Sequence, residues 1–459
     1  MTLSRRMVLT AAPLIFAGLP RLGHAGASRD WLTRWLDAFN AADASAYPDF
    51  VRAHIPTLIP YLDDDLALRE ASGGFTLLHR EETGQGEITA WLRDRNWDRF
   101  SKVVLSVSDQ RIEDLSFQGA PPPADYKVER LDEGVTLALL RTKLQEEAVA
   151  GRFSGAVMVA RGGKVLFREA YGTMDAEKTA VRPDTRFCIG SMGKMFTAVA
   201  VLQLAQQGRL HLTDTVATLL PAYPDTPLAR QVTVRHLLSH TGGTGDFFGP
   251  DYEAHADELQ TPADFIPLFG GRETAFPPGS RWGYSNFGYI LLGAIIERVS
   301  GLDWAAYEQR HVFQPAGMVA TSPLAGFVDT ATPLTGAMQT GLKPLAFYKG
   351  LPAGGGYSTL DDLHRFGQAL TGGTLLDPPH LDLLTQGVVQ AGSAQWAMGL
   401  RVARRNGVFW YGHGGSAPGV NGEFACYPAS RYRVTVLANR GHPHAANVAE
   451  FIGSRLPPT

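Results

Sequence analysis

The feature that most constrains the fold is strand-like sequence at both ends of one long region, with helical and loop sequence between them. Residues 154–160 are typical of a strand, and the glycine pair 162–163 turns the chain into a second strand at 164–168. Three more strand-like segments follow near the C-terminus, at residues 407–411, 422–427 and 432–438. The pattern predicts an α/β sandwich whose antiparallel sheet is assembled from both ends of the region, with helices inserted. It carries no dinucleotide-binding fingerprint.

A smaller unit precedes this region. Apolar residues from Trp31 to Phe39 recur at helical spacing and predict an amphipathic opening helix. Strand-like pieces come after the helical sequence, at residues 75–78, 88–92 and 103–107. Helices followed by strands indicate a small α+β domain over residues 28–118. This segment offers no catalytic constellation, so we expect an accessory domain.

The boundary between the two units is marked by consecutive prolines at 121–123. Each proline fixes its own φ and disfavours helix in the residue before it, so residues 119–130 are expected to form a stiff, extended linker. A chain of 459 residues is also too long for one ordinary core. We therefore expect the second domain to occupy residues 131–459.

The first 27 residues are typical of a targeting segment. Paired arginines at 5–6 precede an apolar run over residues 7–19, and small residues at 25–27 resemble a cleavage site. The arginine pair resembles the twin-arginine signal of bacteria, and an ordinary secretory signal or an uncleaved anchor is the alternative. We expect residues 1–27 to be a signal peptide of the twin-arginine type. The mature protein would then be periplasmic, with no stable membrane span after cleavage.

Charge and composition exclude several classes of partner. The formal net charge of -3 gives no basic surface, so a nucleic acid partner is not expected. Cys188 and Cys426 stand in apolar contexts, which predicts buried free thiols. His236 and His240 have the four-residue spacing of helical metal ligands, but glycines 242–243 end that helix and no carboxylate accompanies them. No metal and no cofactor are predicted.

The first chemical motif is Ser191-Met192-Gly193-Lys194. In a helix over residues 190–204, residues three apart lie on one face, so the Lys194 amine can reach the Ser191 hydroxyl. A serine hydroxyl becomes a useful nucleophile when a base stands beside it, and burial lowers the pKa of a lysine toward that role. Alone, this spacing also arises by chance in proteins of this size.

The second motif is Tyr284-Ser285-Asn286, which follows a Pro-Gly turn at 278–279 and opens a helix near Phe287. A tyrosine beside a cationic lysine is expected to have its phenolate favoured, so that it accepts a proton from serine. The amide of Asn286 can bind a substrate carbonyl or amide. The alternative is that Tyr284 is an aromatic filler beside a helix cap.

The third motif lies between two strand-like runs. It consists of His413, Gly414, Gly415 and Ser416. Bare glycine backbone lets a substrate lie alongside it, and the N–H groups of Ser416 and Ser191 are expected to form an oxyanion hole. The alternative is a glycine-rich turn with a surface histidine.

Taken together and in this order, the three motifs resemble those of class C β-lactamases and D-alanyl-D-alanine peptidases. Three further stretches are similar to the same family: residues 236–243, the Pro-Gly pair before Tyr284, and residues 353–363. The resemblance covers roughly residues 135–455. It implies a β-lactamase/transpeptidase-like sandwich, with an antiparallel sheet flanked by helices and an added helical region.

The resemblance also implies the roles of the site residues. Ser191 would be acylated, Lys194 and Tyr284 would share the base role, and Asn286 would orient the acyl side chain. The family's third motif usually begins with a lysine that holds a substrate carboxylate, whereas this chain has His413, which is mostly neutral near pH 7.

This departure favours esters or D-amino-acid amides and peptides over β-lactams as the small-molecule substrate. The alternatives are β-lactamase activity, or a non-catalytic receptor that cell-wall peptides acylate.

Overall fold

The computed structural model describes residues 27–83, 86–108, 111–123, 126–323, 330–332 and 350–459. The described chain divides into two compact units, with the division between Glu129 and Arg130. Residues 1–26, which hold nearly all of the predicted signal peptide, lie outside the described residues. In the part of the chain that is described, no helix is long and apolar enough to cross a bilayer.

The first unit has helices followed by a sheet, which confirms the predicted α+β domain. Its helices are α1 (Ala27–Asn40), α2 (Ala46–His54), a 3₁₀ turn (Pro56–Tyr61) and α3 (Leu62–Ser72). Its strands are β1 (Phe75–Thr83), β2 (Glu87–Asp94), β3 (Phe100–Val107) and β4 (Ile112–Gly119), paired antiparallel in that order. Strand β4 has no counterpart in the sequence prediction, because only Ile112 and Leu115 of its residues are buried in the core.

The second unit is built on an eight-stranded antiparallel sheet in the order β6-β5-β14-β13-β12-β11-β10-β9. The strands are β5 (Gly155–Arg161), β6 (Lys164–Tyr171), β9 (Val389–Ala391), β10 (Ala394–Trp396), β11 (Arg401–Arg405), β12 (Val408–Ala417), β13 (Val420–Tyr427) and β14 (Tyr432–Ala438). Strand β5 pairs with β14, so the sheet joins the two ends of the region as predicted. A separate small sheet pairs β7 (Phe187–Cys188) with β8 (Tyr357–Ser358).

Helices cover both faces of the large sheet. Those in the described part of this unit are α4 (Glu133–Val149), α5 (Lys194–Gln206), α6 (Val216–Leu219), α7 (Pro227–Gln231), α8 (Val234–Leu238), α9 (Pro250–His255), α10 (Pro262–Phe269), α11 (Asn286–Ser300), α12 (Trp304–Glu308), α13 (Gln314–Ala316), α14 (Leu360–Thr371), α15 (Pro378–Thr385) and α16 (His444–Arg455), with a π turn (Gln309–Phe313) between α12 and α13. Neighbouring strand residues point to opposite faces. On β14, Tyr432 donates to Glu133 of α4, whereas Arg433 contacts His364 of α14. The sheet therefore lies between two helical layers.

Helix α5 is the centre of the second unit's core. Every residue from Lys194 to Leu204 is buried, as is typical of a helix packed on all sides. It begins after a 3₁₀ turn (Gly190–Gly193), so the predicted helix over residues 190–204 is present with a tighter first turn. The turn packs against β12 and β13.

The glycine-rich motif lies inside β12 and not between two strands as the sequence suggested. Gly414 pairs with Glu423 and Gly415 with Gly422, so the ladder runs through the motif. The missing side chains also let the strand approach the 3₁₀ turn, since a Cβ on Gly415 would stand 1.9 Å from the Ile189 carbonyl oxygen. The alternative of a glycine-rich turn with a surface histidine is therefore wrong.

Glu308 is a buried acid that contacts α5. Thr197 Oγ1 lies 2.9 Å from Glu308 Oε1 and 2.9 Å from the Pro352 carbonyl oxygen. A hydroxyl has one proton and a carbonyl can only accept, so both bonds form only when the carboxyl is protonated and donates to Thr197. Burial raises the pKa of Glu308 to about 8, which keeps this acid mostly neutral at pH 7.

We expect Gly415→Ala to lower the free energy of unfolding by about 1–3 kcal/mol, because the added methyl group overlaps the Ile189 carbonyl. Gly271→Ala is the matched control, since a Cβ there meets no atom within 4 Å, and it should change stability by less than about 0.5 kcal/mol. Denaturant unfolding measures both. Equal stabilities for the two variants would contradict the close approach.

We expect Glu308→Gln to flatten the pH dependence of stability. Folding raises the pKa of this acid from 4.5 to about 8, so its favourable contribution is present at low pH and is lost as the pH rises between those values. The loss is on the order of a few kcal/mol. Glutamine keeps an N–H donor for Thr197 and does not titrate. The measurement is the free energy of unfolding as a function of pH. The exposed control Glu258→Gln should keep the wild-type slope. A wild-type slope in Glu308→Gln would refute the protonated carboxyl.

Candidate active site

Ser191 and Lys194 meet at the start of α5. The 3₁₀ turn and the helix together place the Lys194 Nζ 3.3 Å from the Ser191 Oγ. Ser191 is half-buried and so remains open to a reactant, whereas Lys194 is fully buried. The one-turn spacing predicted from the sequence thus brings an amine to a partly accessible hydroxyl.

Three oxygens surround the Lys194 Nζ. Besides Ser191, they are the Asn286 Oδ1 at 2.6 Å and the backbone carbonyl oxygen of Ala353. Burial lowers the pKa of Lys194 from 10.5 to about 7, and the negative charge of Asp246 opposes that shift. Burial therefore brings the neutral amine within reach near neutral pH.

Ala353 is followed by glycines that pack against the 3₁₀ turn Gly190–Gly193, which carries Ser191 and is called the nucleophile turn below. The Gly355 N–H donates to the Gly190 carbonyl at 2.9 Å, and a Cβ on Gly354 would lie 2.7 Å from the same oxygen. Gly354 also has φ +134°, a conformation that favours glycine. Glycine here is required both by the backbone angle and by the close approach.

Tyr284 lies beside the lysine, with the Nζ 4.9 Å from the centre of the phenol ring. Burial raises the pKa of Tyr284 above its usual 10, and a hydrogen bond with Ser191 opposes this shift. The expectation that the lysine would favour a phenolate is therefore wrong. Desolvation is the largest cause, so the side chain stays a neutral phenol.

Asn286 joins the lysine to an acid. Its Oδ1 accepts from Lys194, and its Nδ2 donates to the Asp246 Oδ2 at 2.8 Å. The two contacts fix the orientation of the amide, since an ammonium only donates and a carboxylate only accepts. Both ends of the amide predicted to bind substrate are engaged within the protein.

His413 is buried in β12 and uncharged. Its Nδ1 donates to the Gly414 carbonyl at 2.5 Å, and its Nε2 has no hydrogen-bond partner among the described residues. Burial, with the positive charges of Lys194 and Arg401, lowers the pKa of His413 to about 3. The group that replaces the family's lysine is thus a neutral hydrogen-bond acceptor.

Ser416 follows on the same strand and approaches the nucleophile turn. Its backbone nitrogen would lie 3.1 Å from a Cβ placed on Gly190, the residue before Ser191. Gly190 has φ +51°, which favours glycine. Gly415 lies against the Ile189 carbonyl oxygen, as described above. The third motif therefore borders the first, and the oxyanion hole expected from Ser416 and Ser191 stays a prediction.

Two residues at this site were missed by sequence reasoning. Asp246 follows a loop of glycines and threonine, and Trp396 ends the three-residue strand β10. The Trp396 ring lies 5.8 Å from that of Tyr284 and 5.3 Å from that of His413. Neither position has a periodic or motif signal, because each reaches the site through contacts distant in sequence.

The two histidines with metal-ligand spacing have separate roles. His236 Nδ1 accepts from the Thr233 N–H at 3.3 Å in the capping box of α8. His240 lies beyond the last residue of that helix and has φ +56°, so the two do not share a helix face. Among the described residues, no three His, Cys, Asp or Glu side chains cluster as a metal site. Cys188 and Cys426 are buried free thiols, as predicted.

Comparison with known proteins agrees with this geometry. The family model described as Beta-lactamase matches residues 141–455, more than half of the chain. The putative penicillin-binding protein PbpX of Bacillus subtilis is 30% identical over 278 residues, which is 59% of this chain. Penicillin-binding protein 4* of the same organism is 33% identical over 186 residues, which is 40% of this chain. The chain spans 66% of the length of PbpX and 40% of the length of penicillin-binding protein 4*.

Solved structures show the same fold. A penicillin-binding protein from Bacillus halodurans has a TM-score of 0.60 and 31% identity, covering 67% of this chain and 98% of that one. A D-stereospecific amidohydrolase from Streptomyces has a TM-score of 0.57 and 26% identity, covering 70% of this chain and 99% of that one. The chain therefore belongs to the β-lactamase family of serine hydrolases.

Proposed function

We propose that this protein hydrolyses esters or D-amino-acid amides and peptides through an acyl-enzyme formed on Ser191. One observation carries the proposal. A neutral lysine amine has two N–H donors and one lone pair. The Asn286 Oδ1 and the Ala353 carbonyl can only accept, so they take the two donors. The lone pair is left for the Ser191 hydroxyl, 3.3 Å away.

The chemistry follows from that arrangement. The Ser191 Oγ attacks the substrate carbonyl carbon while its proton passes to the Lys194 Nζ. The negative oxygen that develops is bound by the backbone N–H groups of Ser191 and Ser416. The neutral phenol of Tyr284 gives a proton to the departing oxygen or nitrogen as the bond to the acyl carbon breaks, and Lys194 resupplies the phenol. A water molecule then attacks the acyl carbon while its proton passes to the neutral Lys194 Nζ, and Lys194 returns that proton to the Ser191 Oγ as the acyl bond breaks and the acid leaves.

The charge state of His413 supports esters and amides over penicillins. A neutral imidazole cannot form the ion pair that a lysine forms with a substrate carboxylate. Its Nε2 is instead a buried acceptor suited to a substrate N–H or O–H. The similarity to a D-stereospecific amidohydrolase favours D-amino-acid amides within this class. Asn286 positions Lys194 through its Oδ1, and the second N–H of its amide remains able to bind the acyl side chain of the substrate.

The similarity to penicillin-binding proteins favours a second candidate, a receptor that is acylated but hardly turns over. Either activity would take place in the periplasm, to which we propose that the twin-arginine segment directs the chain. The two candidates differ in one measurable property, the lifetime of the acyl-enzyme.

We expect Ser191→Ala to lower hydrolysis of p-nitrophenyl acetate by at least about 10³-fold, since the nucleophile is lost. Ser280→Ala is the control, because the hydroxyl of that exposed serine donates to the nearby Pro277 carbonyl, and the variant should retain the wild-type rate. Intact mass after treatment with a fluorophosphonate should show one adduct on the wild type and none on Ser191→Ala. Equal rates for wild type and Ser191→Ala would defeat the catalytic role. A stable acyl adduct with little turnover would support the receptor.

We expect kcat/KM of the wild type to rise as the pH increases through about 7 and then to level off. Only the neutral amine can take the serine proton, and the pKa of Lys194 is lowered to about 7. The measurement is ester hydrolysis against pH, corrected for spontaneous reaction. Asp246→Asn should move the midpoint to lower pH, because the carboxylate that raises the lysine pKa is removed. A flat profile, or a midpoint that moves upward, would exclude Lys194 as the base.

A further inference from the structure

His240 contacts the residues on both sides of Tyr284. Its backbone carbonyl accepts from the Gly283 N–H at 2.9 Å, and its Nδ1 accepts from the Ser285 N–H at 3.1 Å. Between these two bonds, the imidazole stacks on the Tyr284 ring with centres 4.4 Å apart and planes at 28°. One residue thus holds the backbone before the phenol, the backbone after it and the ring itself.

The contact with Ser285 also fixes the state of the imidazole. A backbone N–H only donates, so Nδ1 must be the unprotonated nitrogen and the proton is on Nε2. Protonation of Nδ1 would place two donors against each other and break the bond. Burial, with the charge of Lys194 and the neighbouring His413, holds the pKa of His240 well below its ordinary value. Burial therefore favours the neutral imidazole, in which Nδ1 is the acceptor.

The backbone of His240 is itself shaped for this contact. The residue lies two positions after the end of α8 and has φ +56°, where a non-glycine residue is uncommon. Ser285, whose N–H it accepts, caps α11 by accepting from the Gly288 N–H at 2.8 Å. The backbone around the phenol is thereby attached to the end of α8 and the start of α11, and neither contact requires bound substrate.

We propose that His240 is a positioning residue that holds the Tyr284 phenol in line between Lys194 and the leaving group. This role rests on the function proposed above. Tyr284 gives a proton to the leaving group, so a displaced phenol slows substrates whose leaving group needs that proton. An ethoxide leaving group needs it, whereas p-nitrophenolate departs without it. A merely structural role would affect both substrates equally.

The test uses three variants of His240. His240→Asn keeps an acceptor near the Nδ1 position and tolerates positive φ, but loses the ring. His240→Phe keeps a ring and loses the acceptor, and His240→Leu loses both. His236→Leu is the matched control, because it removes an imidazole that also accepts a backbone N–H but caps α8 instead. For each protein, kcat and KM are measured for ethyl acetate and p-nitrophenyl acetate, together with the thermal unfolding midpoint.

We expect kcat for ethyl acetate to fall by about tenfold in His240→Asn and His240→Phe and by about 100-fold in His240→Leu, with KM within about threefold of wild type. The rate for p-nitrophenyl acetate should fall much less. His236→Leu should keep the wild-type ratio of the two rates even if it unfolds at a lower temperature. If His240→Leu does not fold, His240→Asn and His240→Phe decide the question. A wild-type ratio of the two substrate rates in both variants would overturn the proposal. Absence of Ser191-dependent turnover in the unmodified protein would instead count against the proposed function, and with it against this role.

Discussion

The site depends on the burial of one amine. Transfer of a lysine out of water strongly disfavours its charged form, so a buried lysine either loses its proton or must be surrounded by acceptors. Lys194 does both, with a pKa near 7 and three oxygen neighbours. Those oxygens belong to residues 191, 286 and 353, which are far apart in sequence. The convergence of three segments on one nitrogen is therefore what the fold has to achieve.

Two features of the fold make that convergence possible. Helix α5 is apolar on every side, so it is held in the middle of the second unit and carries Lys194 with it. Glycine then removes the side chains that would keep the other segments away, at Gly354 behind the nucleophile turn and at Gly415 in β12. The hydrophobic helix sets the position of the amine, and bare backbone lets its partners come within bonding distance.

The sequence allowed prediction of features that are local or repeated. The spacing of Ser191 and Lys194 needs only one helical turn, and strands such as β5 and β14 at the two ends of the second unit are short, mainly apolar runs. The structure differs from the prediction where contacts between segments distant in sequence determine the local conformation. Asp246 and Trp396 reach the site through such contacts, and the glycines of β12 pair with β13 although glycine-rich sequence usually indicates a turn. The ionisation of Tyr284 was predicted wrongly because the sequence shows its charged neighbour but not the extent of its burial.

Burial moves the two titratable partners of Ser191 in opposite directions. It lowers the pKa of Lys194 and raises that of Tyr284, because each neutral form avoids a buried charge. Two groups whose pKa values are pushed apart can be assigned as base and acid, and on this ground we propose the amine as the base and the phenol as the acid. A phenolate beside the lysine would compete for the serine proton. In the proposed mechanism, exclusion of water from these two side chains provides both the proton acceptor for attack and the proton donor for departure of the leaving group.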